Sequence, residues 1–276
     1  MTQKAKQATF ELHAIGTVWR IEHSGGVGVE AGIRKLISDF EDEFSRFLPA
    51  SQLSILNSAG RLHNPSKEFV SMLNFAVAMH QNTSGVFNVS IGSVLTKNGY
   101  GHNAKRSVLY NSLEKIRISP KLIQIPDDMY LDFGGFGKGW LVDKIGKYLS
   151  KKNVDFFVIN GGGDILVHST TPIVLGLQHP IDDSLVIGTV SVRNGALGVS
   201  SNQKRVWKKN GRSYSHIISP TTKNSPENSV VGTYITAESA LIADTLATVL
   251  FIDPTQEQIL SKKYSANCYI VYDWQL

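Results

Sequence analysis

A chain of 276 residues holds one large domain or two small ones, and an apolar content of 42% can build a full core. The formal charge of +5, with a pI near 9.1, comes without any run of five Lys or Arg; it suits an anionic substrate and gives no argument for nucleic acid. No apolar run is long enough to span a bilayer, and the single Cys268 excludes an intrachain disulfide without fixing the compartment.

The first residues, "MTQKAKQATFELHAIGTVWRIEH", show no apolar signal core and no lipid-attachment cysteine. The location expected is cytoplasmic if Met1 is the native start, and periplasmic if a leader has been trimmed away. "TVWRIEH" reads as a strand ending at "SGG". In "VEAGIRKLISDFEDEFSRF", Ile33, Leu36, Ile37, Phe40 and Phe44 fall at helical spacing. "SKEFVSMLNFAVAMHQNTSG" predicts a second helix, capped by Ser66 and stopped at Gly85. Short strands follow in "VLYNSLEKIRISPKLIQIP". "GGFGKGWLVDKIGKYLSKKNV" is a glycine turn feeding a helix, and "FFVING" is a strand. "IVLGLQHP" and "LVIGTVSVRNGALGVSS" are strand-like, with Gly and Asn at their turns. "NCYIVYDW" is the last strand. With no repeat, linker or clean boundary, the expectation is an α+β fold in one compact unit over residues 1–276, with mixed or antiparallel sheets and packed helices.

Four stretches can carry chemistry. In "YLDFGGFGKGWLVDKI", four glycines admit close backbone approach, and a helix starting there offers free N–H groups to an anion. It is not a P-loop, because Gly139 follows Lys138 where Ser or Thr is required. The plain alternative is a tight turn with a solvated lysine. In "FFVINGGGDILV", a strand runs into three glycines and Asp164; close approach of a ligand and a simple hairpin turn both explain it. In "RVWKKNGRSYSHI", Asn210-Gly211 signals a hairpin with His216 on the return strand, and a lone histidine is more often structural than catalytic. In "ESALIADTLATVLFI", Asp244 interrupts an apolar helix with Thr248 one turn later on the same face. A carboxylate and a hydroxyl suit a hard cation such as Mg²⁺; a buried lysine partner or a capped loop would equally satisfy Asp244.

Taken in order, these stretches resemble the FAD:protein FMN transferase (ApbE) family over nearly the whole chain. The resemblance is carried by "IGTVWRI", "FSRFLPASQLSILN", "TSGVFNVSIGSVL", "LDFGGFGKGWLVD", "VINGGGDI", "YSHIISPTT" and "ALIADTLATVLF". It implies a flavin-binding cleft in an α+β unit, FAD as substrate, Mg²⁺ as cofactor, and an acceptor flavoprotein whose threonine receives FMN as AMP leaves. It also implies metal ligation by Asp244, Thr248 and the backbone oxygen of Gly135, and flavin-nucleotide contacts from Phe47, Val86, Phe87, Asn88, Asp132 and Lys138. His216 is the candidate base for the acceptor hydroxyl. Three departures stand out: Asn88 and Ser219 occupy positions where the family carries aspartate, and Lys223 replaces a glycine. The rival readings are an FAD pyrophosphatase giving free FMN and AMP, and a non-catalytic flavin-binding protein.

Overall fold

The computed structural model describes residues 7–100, 108–201, 206–209 and 212–275. In chain order the elements begin with β1 (Ala8–Ala14), β2 (Thr17–His23), α1 (Val29–Phe44), α2 (Gln52–Ala59), β3 (Arg61–His63), α3 (Lys67–Asn82) and α4 (Gly92–Lys97). They continue with β4 (Arg117–Ile118), β5 (Leu122–Gln124), α5 (Gly137–Lys151), β6 (Phe157–Gly161), β7 (Asp164–His168), β8 (Ile173–Gln178) and β9 (Val186–Val192). Last come β10 (Gly195–Ser201), β11 (Val206–Lys209), β12 (Arg212–Ser215), β13 (Val230–Ala237), α6 (Ala240–Ile252), α7 (Glu257–Tyr264) and β14 (Asn267–Tyr272).

The class is α+β with antiparallel pairing, as expected. By its internal contacts the chain divides into two compact units, each discontinuous in sequence. The first unit takes residues 1–39, 136–201 and 229–276; the second takes 40–135 and 202–228. The sequence shows no boundary because each crossing falls inside or beside a regular element; the first lies within α1.

The first unit is built on a seven-stranded sheet in the order β1-β2-β6-β7-β10-β13-β14, antiparallel at every pairing. Its central strands are covered on both sides. A Cβ at Gly198 would meet the Ala243 carbonyl carbon at 2.3 Å, so β10 turns that position towards α6. Its neighbour Leu197 points the other way, into a cluster with Val167, Leu175, Leu177, Val190, Val192 and Tyr234 that includes the hairpin β8–β9. Burial on both faces explains why "GALGVSS" and "VVGTYITA" read as continuous apolar or small runs rather than as alternation. Helix α6 buries Leu246, Val249, Leu250 and Phe251, side chains whose full burial is worth about 1.5–3 kcal/mol each.

The second unit holds α2, α3, α4, the small sheet β3-β5-β4 and the hairpin β11–β12. Phe44, Phe69 and Phe133 form its aromatic centre, with ring centroids 5.6–6.3 Å apart. α3 starts where expected, with Ser66 Oγ accepting from Phe69 N–H at 2.9 Å; α2, which was not expected from the sequence, is capped in the same way by Ser51 Oγ accepting from Ser54 N–H at 3.0 Å. α3 ends at Asn82, and Gly85 follows with φ +87°. The Asn210-Gly211 turn lies outside the described residues.

Candidate active site

In the first unit, three elements bring charge together. α5 opens directly after the glycine turn, and Lys138 sits in its first turn. Its ammonium is bonded to Asp164 Oδ2 and lies 3.5 Å from Asp244 Oδ2. The same Asp244 oxygen accepts the Gly139 N–H at 2.9 Å. Gly139 has to be glycine, since a Cβ there would lie 2.4 Å from the Ala240 oxygen. Asp143, one turn along α5, accepts from Ser239 Oγ at 2.6 Å and from the backbone N–H groups of Ala240 and Leu241 at 2.9 and 3.1 Å. A carboxylate at the N-terminus of α6 satisfies donors the helix cannot pair internally and opposes its dipole. It also sets the register of α6 on α5, which fixes where Asp244 falls. Thr248, one turn further and half-buried, shares that helix face.

Asp164 is fully buried, and its Oδ1 has no hydrogen-bond partner among the described residues. Burial first, and the Asp244 carboxylate second, push its pKa up to about 7 against the pull of Lys138. Two buried carboxylates thus share one ammonium. The glycines before Asp164 form a hairpin turn: Gly162 and Gly163 have φ of +74° and +108°, and Asn160 Oδ1 accepts the Gly163 N–H at 2.8 Å. The hairpin explanation of "NGGGD" is therefore the one the backbone adopts, and its consequence is the placement of Asp164.

The excess of buried negative charge over ammonium, with an oxygen left over, fits a hard cation. Among the described residues no group of three or more His, Cys, Asp and Glu forms a metal cage. A cation here would draw on few protein oxygens, which is the habit of Mg²⁺, whose remaining positions go to water and phosphate.

The other expected residues belong to the second unit. Gly135 is its last residue before the chain crosses. Phe47 is exposed and Val86 half-buried, whereas Phe87 and Asn88 turn inward. Asn88 Oδ1 accepts from the Ser90 N–H and hydroxyl, and its Nδ2 donates to the Tyr110 carbonyl at 2.7 Å, so this amide builds the loop. Asp132 pairs with Arg46 through Oδ2 and accepts the Gly134 N–H at 2.7 Å through Oδ1. His216 is half-buried just after β12, ahead of buried Ile217 and Ile218. Ser219 lies in a turn closed by Ser219 N–H to Asn224 O and Lys223 N–H to Ser219 O, both 2.8 Å, with Lys223 at φ +60°.

Sequence reasoning passed over Arg46 and Asp143 and left Asp164 without a role. Arg46 meets Asp132 across 86 positions, and no local signal announces that. Asp143 lies two turns before the end of a periodic helix, where a carboxylate looks solvated.

Fold and site together define an α+β protein whose larger sheet carries a helix-borne acidic centre suited to a hard cation. The chain belongs to the ApbE family, whose sequence profile matches residues 15–270. It is similar to the FAD:protein FMN transferase of Vibrio cholerae, 24% identical over 90% of this chain and 82% of the relative. It is 26% identical to the FAD:protein FMN transferase of Klebsiella pneumoniae over 79% of this chain and 73% of that one. Among solved structures, the ApbE protein of Thermotoga maritima superposes with a TM-score of 0.86 at 22% identity, covering 98% of this chain and 95% of the other. The flavin transferase ApbE of Vibrio cholerae gives 0.79 at 21% identity, covering 98% and 94%.

Proposed function

We propose that this chain is an FAD:protein FMN transferase that cleaves the FAD pyrophosphate and joins FMN to a threonine hydroxyl of an acceptor flavoprotein. The family membership and the names of the relatives support the reaction class. The observation in this structure that carries the reading is the acidic centre, Asp244 and Asp164 against one Lys138. Asp244 and Thr248 would hold Mg²⁺, which when bound supplies charge neutralisation for the pyrophosphate.

The protein's own groups have separate tasks. Asp244 is held ready by the Gly139 N–H, and α6 is locked by Asp143. Lys138 keeps an ammonium at the acidic centre. Phe47 and Val86 offer the open apolar surface for the flavin ring. The acceptor hydroxyl oxygen forms the new P–O bond, the bond from that phosphorus to the bridging pyrophosphate oxygen breaks, and AMP leaves. The hydroxyl proton passes to the His216 imidazole acting as general base.

The test is mass spectrometry of a co-expressed acceptor domain, together with AMP release from FAD and Mg²⁺ with and without that acceptor. FMN added to a threonine supports the transferase. Free FMN formed without acceptor identifies a hydrolase, and bound FAD with no AMP released identifies a flavin-binding protein.

A further inference from the structure

The second unit contains a buried cation that no step above uses. The Arg46 side chain is 2% exposed. A buried guanidinium needs an opposite charge and hydrogen-bond acceptors, and it has both: Nε donates to Asp132 Oδ2, and Nη2 to the Tyr100 carbonyl at 2.9 Å. Those bonds fix the plane of the guanidinium, which lies 4.3 Å from the Phe47 ring centroid and 5.1 Å from that of Tyr100. Phe47 and Tyr100 meet edge to face at 5.7 Å, and Tyr100 stacks on Trp207 at 5.1 Å. Trp207 is in turn held by a 2.8 Å bond from Nε1 to the Asn98 carbonyl. Phe47 nevertheless remains 43% exposed. A large apolar ring kept at the surface and backed by a locked cation is a prepared stacking surface, not core.

The base of this arrangement is equally fixed. Asn57 clasps the Leu131 backbone through both amide atoms, at 2.9 and 2.7 Å, so Asp132 is presented from a pinned segment. Its second oxygen then holds the Gly134 N–H.

We propose that Arg46 is a positioning residue for the flavin: anchored by Asp132 and the Tyr100 carbonyl, it holds the Phe47 ring in the orientation that receives the isoalloxazine. The inference rests on the flavin-contact role of Phe47 given above. Lysine cannot substitute, because an ammonium has neither the planar face nor the fork that reaches two acceptors while stacking.

The experiment is FAD titration by quenching of flavin fluorescence, with FMN-transfer kinetics, on wild type, Arg46→Lys, Phe47→Ala and the double variant. Arg46→Lys retains a cation for Asp132, and near-ultraviolet circular dichroism checks its fold. The expected result is FAD binding weakened about 5- to 30-fold, shallower quenching, a KM for FAD raised to match, and kcat at saturating FAD within about two-fold of wild type. The double variant binds no more weakly than Phe47→Ala alone, because the two residues act through one contact. Wild-type FAD affinity in Arg46→Lys beside a weakened Phe47→Ala overturns the Arg46 role and leaves the flavin reading standing. Unchanged affinity in Phe47→Ala overturns both. Additive losses in the double variant show that Arg46 acts elsewhere, and they also overturn the proposal. Should Arg46→Lys not fold, Arg46→Gln keeps a planar amide that can donate to Asp132 without the charge, and the same cycle with Phe47→Ala decides.

Discussion

Each unit buries an ionic centre, and the two are opposites. In the second unit Arg46 and Asp132 stand one to one, with Nε, Nη2 and both carboxylate oxygens engaged. In the first, Lys138 faces two carboxylates, and Asp164 Oδ1 has no hydrogen-bond partner among the described residues. A pair balanced in charge, with both carboxylate oxygens engaged, is a strut: its charges are met within the fold, and removing one partner is what costs. An unbalanced one keeps an electrostatic demand that a cation can meet. Burial alone does not tell a functional charge from a structural one, but the count of charges and hydrogen bonds around it does.

The largest effect that would break this comparison is in the first unit. Asp244→Asn keeps an acceptor for the Gly139 N–H but removes the charge, and it should lower Mg²⁺-dependent FMN transfer by roughly 10³-fold or more. If Mg²⁺ raises the melting temperature of the wild type, as the metal assignment requires, the variant should lose that rise. Full turnover in a folded variant would refute the metal assignment.

Next in size is His216→Ala, expected to slow single-turnover transfer about 10²–10⁴-fold with FAD affinity little changed. A parallel fall in affinity would assign His216 to nucleotide binding, and equal transfer rates would exclude it as the base.

The contrast itself is sharpened by stability. Arg46→Leu strands the Asp132 carboxylate and should cost about 3–5 kcal/mol in urea unfolding. Asp164→Asn relieves an over-acidic centre and should cost under about 1 kcal/mol in the absence of metal. Equal losses would mean that the two centres are alike after all.

The smallest effect is a pH slope. Burial pushes the Tyr234 phenol up to about 12 from 10.0, and its hydroxyl donates to the Gln178 carbonyl. Between those values the folded chain holds a proton that the unfolded chain has released. Stability should therefore fall as pH rises from about 10 to 12 and be unaffected by this group below 10. Tyr234→Phe should cost about 1 kcal/mol at neutral pH and flatten the alkaline slope. An unchanged slope in alkaline melting curves would show that other groups dominate it.

Much of this was legible in the sequence. The helix of Asp244, the cap at Ser66, the glycine turn before Lys138 and the hairpin before Asp164 depend on interactions within about four residues, so periodicity and cap chemistry reveal them. The shared face of Asp244 and Thr248 follows from helix geometry alone. What tertiary structure decided is which charges meet. Lys138 finds Asp164 across 26 positions, Asp244 finds Gly139 across 105, and Arg46 finds Asp132 across 86. Nothing near Arg46 distinguishes it from a solvated arginine, and Asn88 looks as free to meet a ligand as to close a loop. Those outcomes depend on which distant segments the sheet order and the packing within each unit bring side by side. A charged side chain's role is set by the partners within a few ångströms, and over such separations only the folded chain chooses them.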